Sequence, residues 1–303
     1  MFSIIICTYN RAKYIYRALE GLAVNDFPVE EYEIILVNNN SSDNTEEECL
    51  RFQQDYPNVD FLYFIEMKQG LSHARNRGIQ ESTYGILVFL DDDAFVSADY
   101  LPNLKKNVLS VPDGMAFGGK IVPLFESGKT PVWLSRWSMT FVSAQDRGRK
   151  TKRFTGRAFP IGANMGFRKQ CITQVGLFNT ELGRSLKNLA GGEEKDLFAR
   201  FKEEGLEIYY FPDVEVQHVI PENRTTYSYV KKLGKGVGYS EYVRCKKEGR
   251  RKLALKYFTE ILKWGVSVLL WFYYAVQFKS PKGYVLLLFR WNVTKGLLNR
   301  NLE

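Results

Sequence analysis

Along the first hundred residues, short apolar runs alternate with stretches in which apolar side chains recur every three or four positions. Phe2 to Thr8, Tyr32 to Val37, Phe61 to Ile65 and Ile86 to Leu90 are continuous runs rich in Ile, Leu and Val, the pattern of strands buried on both faces. Between the first two, Ile15, Ala18, Leu19 and Leu22 fall at helical spacing, and helix-like stretches at 43–55 and 71–82 separate the others. This alternation predicts βαβ units with right-handed crossovers, hence an α/β fold with a mostly parallel sheet flanked by helices. Farther along, Gly, Pro, Trp133, Trp137 and many basic residues interrupt 113–167, which predicts an irregular region with a few extra strands. Residues 193–204 read as a short amphipathic helix and Leu206 to Phe211 as another strand.

Ligands of such sheets sit beyond the carboxyl ends of the strands. The segments there are Thr8-Tyr9-Asn10-Arg11, Asn38 to Asp43, Glu66 to Gly70 and Asp91-Asp92-Asp93, all polar. Three adjacent carboxylates at a strand end repel one another unless a cation neutralises them. Hard divalent ions such as Mn2+ or Mg2+ take oxygen ligands and often phosphates, so aspartates with a diphosphate form a coherent set. The plainer alternative is a solvated acidic turn or a helix cap. Arg75 and Arg77 lie on the helix after Gly70, where a guanidinium fork can pair with phosphate oxygens; Arg77 equally suits a solvated face. Glu193 and Glu194 open the helix at 193, behind the permissive pair Gly191-Gly192, and acids are also favoured there by the helix dipole. His218 follows a predicted strand and could complete a metal shell or serve as a structural residue, while His73 is read as holding the loop beside Arg75. Trp133 and Trp137 offer aromatic faces on which a ligand could stack, or core and lid packing.

Six stretches occur in order: Ser3 to Arg11, Leu36 to Thr45, Gly70 to Gly78, Phe89 to Asp93, Gly162 to Arg168 and Gly191 to Leu197. Together they resemble glycosyltransferase family 2 over roughly residues 2–220. The resemblance implies a GT-A, Rossmann-like fold and inverting transfer from a nucleotide-diphosphate sugar. Thr8, Tyr9 and Asn39 match positions that contact the nucleobase, with Asn10, Arg11 and Asn38 beside them. Asp92 matches the ribose-facing position, and Asp93, helped by Asp91, the metal ligand of the DXD motif. A UDP-sugar donor is implied, although Asn38-Asn39 stands where many relatives carry aspartate. The base of the family is the Asp of a Glu-Asp pair with a second acid two residues on; Glu194 and Asp196 occupy those positions here, with Glu193 beside them. Asn164 joins Trp133 and Trp137 on the expected acceptor side. The expected division is a catalytic domain over 1–225, with a nucleotide-sugar half (1–112) and an acceptor half (113–225), followed by a basic and apolar helical segment over 226–303.

Charge matters only once it is located. The net charge is +8, and residues 231–256 hold ten basic side chains against Glu241 and Glu248, which equals the whole excess. Fifteen uncharged, mostly apolar residues follow from Trp264 to Phe278, then Ser280-Pro281-Lys282 and a second apolar stretch, Gly283 to Phe289. Both fall short of the roughly 20 residues a spanning helix needs. The expectation is docking at the cytoplasmic face of the cell membrane, with cations at the headgroups and aromatic rings at the interface, and with no nucleic-acid partner. The alternative is that these helices pack on the catalytic domain or on another subunit, giving a homo-oligomer. Four scattered cysteines and the absence of a charged leader before Ser3 fit a cytosolic, reduced protein. The expected partners are a nucleotide-sugar donor and a glycan or lipid-linked acceptor. Two other functions fit the sequence less well. A nucleotide-sugar-forming nucleotidyltransferase needs a Gly-rich phosphate loop after the first strand, which Thr8 to Arg11 is not, and a non-catalytic sugar-binding relative would be expected to lose the aspartates or the base.

Overall fold

The computed structural model describes residues 1–182, 192–247 and 249–298; Gly191 and Glu248 lie outside them. The chain divides into two compact units, one formed by Met1–Pro123 with Ala144–Val219, the other by Leu124–Ser143 with the residues from Ile220 onward.

The first unit begins with the predicted alternation: β1 (Phe2–Thr8), α1 (Ala12–Ala23), β2 (Tyr32–Asn38), α2 (Thr45–Asp55), β3 (Phe61–Ile65), α3 (Leu71–Glu81) and β4 (Ile86–Asp91). These four strands are parallel, with Ile5 beside Ile35 and Phe89. The reason β1 reads as an unbroken isoleucine run is visible in the packing. Ile4 and Ile6 enter one core with Ile15, Leu19 and Leu22 of α1, while Ile5 enters the opposite core with Ala74 and Ile79 of α3. Both faces are covered, so period-2 alternation with polar residues has no place here.

Beyond β4 come β5 (Ala94–Val96), α4 (Tyr100–Ser110), β6 (Gly114–Phe125), β7 (Lys152–Arg153), β8 (Asn164–Arg168), α5 (Ile172–Val175), α6 (Glu193–Glu203) and β9 (Glu207–Ile220). Among the described residues the strand order is β3-β2-β1-β4-β8-β6-β9-β5, with β7 beside β9. β8 runs antiparallel to β4, and β5 antiparallel to β9. The region expected to be irregular therefore supplies a 12-residue strand, and the short strand expected at 206–211 is 14 residues long. Gly118-Gly119 reads as a breaker in the sequence. In the sheet, a Cβ at Gly119 would strike the Val214 carbonyl and the Asn164 amide, so the glycine there permits close approach of the strand rather than ending it.

The second unit holds three long helices, α7 (Tyr227–Lys247), α8 (Arg250–Val276) and α9 (Ser280–Leu298). The basic run from Arg250 and the apolar stretch from Trp264 form one 27-residue helix, because no proline intervenes before Pro281 and a single Gly265 is tolerated. Trp264 Nε1 donates to Thr294 Oγ1 at 2.9 Å, and Glu260 is buried between Arg290 and Lys263, which ties α8 to α9. Among the described residues no helix is long and apolar enough to cross a membrane.

Candidate active site

The loops after β1 and β2 are laced together. Asn10, whose φ of 53° lies in the left-handed region that asparagine tolerates, donates its N–H to Ser41 Oγ and accepts from Ser42 N. Asp43 accepts from the backbone N–H groups of Ala12 and Thr45 and from the Thr45 hydroxyl. Burial pushes its carboxyl up, but these three bonds outweigh it and hold the group below its ordinary value. The two asparagines expected near the nucleobase turn inward. Asn38 donates to the Tyr63 hydroxyl and accepts from Ser41 N. Asn39 donates to the carbonyls of Glu66 and Lys68 and accepts from Gly70 N, pinning the loop that starts α3. Thr8 is buried beneath them and Tyr9 is half-buried.

The end of β4 carries the carboxylates. His218 reaches them through strand pairing, since Ala94 of β5 lies opposite His218 of β9 and Val219 N donates to the Asp93 carbonyl. His218 Nε2 then stands 3.1 Å from Asp93 Oδ1 and 3.8 Å from Asp91 Oδ2. One atom from each of Asp91, Asp93 and His218 lies within 4.8 Å of the others. Two carboxylate oxygens and an imidazole nitrogen suit a manganese- or magnesium-sized ion, with imidazole tilting the preference toward manganese. On the other side, Arg11 Nε lies 3.3 Å from Asp92 Oδ1 and its Nη2 3.8 Å from Asp93 Oδ2. Burial pushes the Asp92 carboxyl up, and neighbouring Asp93 adds to this against the pull of Arg11 and Thr8.

Arg75 joins this cluster to the helix at 193. It is 2% exposed, with Nη1 3.2 Å from Glu193 Oε1 and Nη2 3.0 Å from Glu194 Oε1, and it lies 4.0 Å from Asp91 Oδ1. Burial works against its charge, yet Glu194, Glu193 and Asp91 together raise its pKa above the ordinary arginine value. The two glutamates differ in access: side-chain exposure is 3% for Glu193 and 22% for Glu194. Glu193 also accepts from Gly192 N, so it anchors the start of α6, while Glu194 stays partly exposed. Asp196 pairs instead with Arg200, which holds the carbonyls of Val175 and Leu177.

Gly162 closes the site. β8 starts opposite the end of β4, with Leu90 beside Asn164, which brings the preceding turn to the Arg75–Glu194 pair. A Cβ on Gly162 would collide with Glu194 Oε1 and Arg75 Nη2, so any larger residue there must displace that pair. Nothing local to the stretch Gly162 to Arg168 announces this requirement, because Arg75 and Glu194 arrive from distant parts of the chain.

The three residues expected on the acceptor side have different surroundings. Asn164 is fully buried, donating to the carbonyls of Lys120 and Val214 and accepting from the Tyr100 hydroxyl, so its amide holds three strands and α4 together. Trp133 and Trp137 belong to the second unit. Trp133 is buried with Nε1 bonded to the Thr225 carbonyl, whereas Trp137 is exposed beneath the Arg136 guanidinium. Arg77 pairs with Glu81 along α3, the solvated alternative. His73 sits in the first turn of α3, its N–H bonded to the Gly70 carbonyl.

A family model described as Glycosyl transferase family 2 matches residues 3–176. Over 246 residues the chain is 26% identical to the glucosyl-dolichyl phosphate glucuronosyltransferase of Haloferax volcanii, covering 80% of this chain and 76% of that one. Among solved structures, the mannosyltransferase PcManGT from Pyrobaculum calidifontis in complex with GDP-Man and Mn2+ aligns with a TM-score of 0.64 at 16% identity, over 99% of this chain and 88% of that one. S. aureus TarS 1-349 in complex with UDP aligns with a TM-score of 0.53 at 16% identity, over 78% of this chain and 65% of that one. These structural likenesses speak to the fold.

Proposed function

The chain belongs to glycosyltransferase family 2, and from that premise we propose that it transfers a sugar, with inversion, from a nucleotide-diphosphate donor to a hydroxyl of a lipid-linked glycan at the cytoplasmic face of the membrane. The observation that carries the reading is the single cluster made by Asp91, Asp93 and His218, the buried Arg75, and the partly exposed Glu194. Five carboxylates (Asp91, Asp92, Asp93, Glu193, Glu194) meet two guanidinium groups (Arg11, Arg75) here, an excess of negative charge that suits a divalent cation.

Asp91, Asp93 and His218 would hold Mn2+ or Mg2+, which when bound supplies positive charge to the departing diphosphate. Glu194 accepts the proton of the acceptor hydroxyl as its oxygen bonds to the anomeric carbon and the bond from that carbon to the diphosphate breaks. Arg75 orients the Glu194 carboxylate through the Nη2–Oε1 contact, and the buried Glu193 fixes Arg75 from the other side; both are positioning residues in this scheme. Thr8, Tyr9 and the laced loops of Asn10, Arg11, Asn38 and Asn39 form the nucleotide side, with the Asn38 and Asn39 amides shaping the loops and Asp92 offered to the ribose. The lipid-linked acceptor draws support from the name of the Haloferax volcanii relative. The two solved neighbours carry GDP-Man and UDP respectively, so the donor base is a matter for assay.

The test is transfer and donor hydrolysis with a panel of UDP- and GDP-sugars plus manganese, in the native protein, Asp93→Ala and Glu194→Gln. Glu194→Gln should retain donor binding and lose at least roughly 100-fold in kcat, the usual contribution of a general base. Asp93→Ala should lose manganese dependence and activity together. Undiminished turnover in both variants would sink the mechanism.

A further inference from the structure

α8 presents an apolar face that its own unit leaves exposed. Leu255, Phe258, Leu262, Leu269, Phe272 and Val276 follow one another at three- and four-residue steps, with Gly265 completing the series, and each of these six side chains is 54–79% exposed. Ile261, Val266 and Tyr273 widen the face on both flanks. On this helix the stripe spans roughly 32 Å at 1.5 Å per residue. Scattered single apolar residues on a surface need no explanation, but a contiguous stripe of this length marks an interaction surface.

Three observations decide what covers it. The first is its breadth. A coiled-coil seam is narrow and bordered by charged residues, whereas here the flanking positions are Ala254, Ile261, Val268 and Ala275 on one side and Thr259, Val266 and Tyr273 on the other. The second is charge. Residues 227–298 contain fifteen basic and three acidic side chains. Of the acids, Glu241 is paired with Lys256 and Arg244, and Glu260 is buried with Arg290 and Lys263; Glu248 lies outside the described residues. Pressing two copies together along this face would bring two strongly cationic bodies into contact. Exposed Arg250 and Arg251 at one end of the helix and Lys279 just past the other end instead suit anionic headgroups. The third is the opposite side of α8. Glu260 and Trp264 bond to Arg290 and Thr294 of α9, so that side of α8 is covered and the stripe is the side left open.

We propose that α8 lies in the plane of an anionic membrane surface, with Leu262, Leu269, Phe272 and Val276 entering the acyl boundary and Arg250, Arg251 and Lys279 at the headgroups. A helix of this kind buries its apolar face about 5–10 Å deep. The assignment deepens the membrane reading of the acceptor given above and names the surface responsible for it.

The experiment is flotation of the full chain with vesicles of phosphatidylcholine alone or doped with phosphatidylglycerol, alongside donor hydrolysis by the same preparations. The native protein should float with the anionic vesicles and be released by high salt. Leu269→Glu with Phe272→Glu should reduce binding at least roughly tenfold, since both side chains lose their apolar burial. Replacing Arg250, Arg251 and Lys279 by Ser should reduce it roughly 100-fold, at about fivefold per cation. These positions are exposed, so both variants should hydrolyse donor at the native rate, which separates loss of docking from loss of the catalytic site. Failure of the native protein to float, unchanged flotation of the variants, or a dimer in solution that Leu269→Glu with Phe272→Glu dissolves would each overturn the assignment. If flotation behaves as stated while no donor is turned over, the docking surface stands and the catalytic reading falls.

Discussion

Adding one methyl group at Gly162 isolates the geometry of the Arg75–Glu194 pair. In Gly162→Ala the new Cβ would lie well inside contact with Glu194 Oε1 and Arg75 Nη2, where ordinary contact is 3.4–4 Å. To restore that separation the carboxylate must retreat by more than about 1 Å. A displacement of that size at a reacting group costs about 100-fold in rate, equivalent to about 2.7 kcal/mol in the barrier. The fold should tolerate the change better than the chemistry does. The atoms displaced are ends of side chains, so the overpacking penalty should sit at the low end of about 1–3 kcal/mol. The assay is single-turnover transfer at saturating donor, with nucleotide affinity by calorimetry and thermal melting alongside. Gly85→Ala serves as a control, because a Cβ there meets nothing within 4 Å. A Gly162→Ala enzyme with kcat within about twofold of native and intact nucleotide binding would show that the position of Glu194 does not govern the reaction.

Three further outcomes follow from the same geometry. Arg75→Met leaves the buried Glu193 carboxylate without its partner and should destabilise the protein by about 3–5 kcal/mol in urea unfolding; a loss under about 1 kcal/mol would deny Arg75 its structural part. His218→Ala should weaken manganese binding, read by calorimetry, at least roughly tenfold, and an unchanged affinity removes His218 from the ligand set. Asp43, whose carboxyl is held below its ordinary value of 3.8, adds stability that is present above that value and is lost as the pH falls through the lower folded value. Asp43→Asn should therefore melt below the native protein at neutral pH, and the gap should close under strongly acidic conditions; a gap that persists unchanged there would refute the assignment.

Three of the four parallel strands, β1, β2 and β4, were legible because each is a continuous apolar run buried on both faces, a pattern local to six or seven residues; β3 shares the apolar run but lies at the sheet edge and is mostly half-buried. The antiparallel half was less so. β6 contains Gly118, Gly119 and Pro123, which locally signal a break, and only the neighbouring Val214 and Asn164 give the glycine its reason. The apolar content of the C-terminal stretch was plain in the sequence, but that Glu260 would turn toward Arg290 and leave Leu269 and Phe272 outside depends on how α8 meets α9.

In the site the division is sharper. The sequence alone determined the chemical inventory: carboxylates at the end of β4, an acidic pair opening α6, arginine on α3, and a histidine near the end of β9. Tertiary structure decided which neighbours each one meets. Arg75, expected at a diphosphate, meets glutamates 118 and 119 positions away. Asn38 and Asn39 turn their amides inward to the loops, and Asn164 is a strut of the sheet rather than a surface group. The choice between Glu193 and Glu194 rests on which of two adjacent carboxylates the packing of α6 leaves open. Local pattern sets which faces are buried, because burial is read residue by residue along one element. Which charges become neighbours is set by long-range packing, and that is where the roles of Arg75, Gly162 and Glu194 arise.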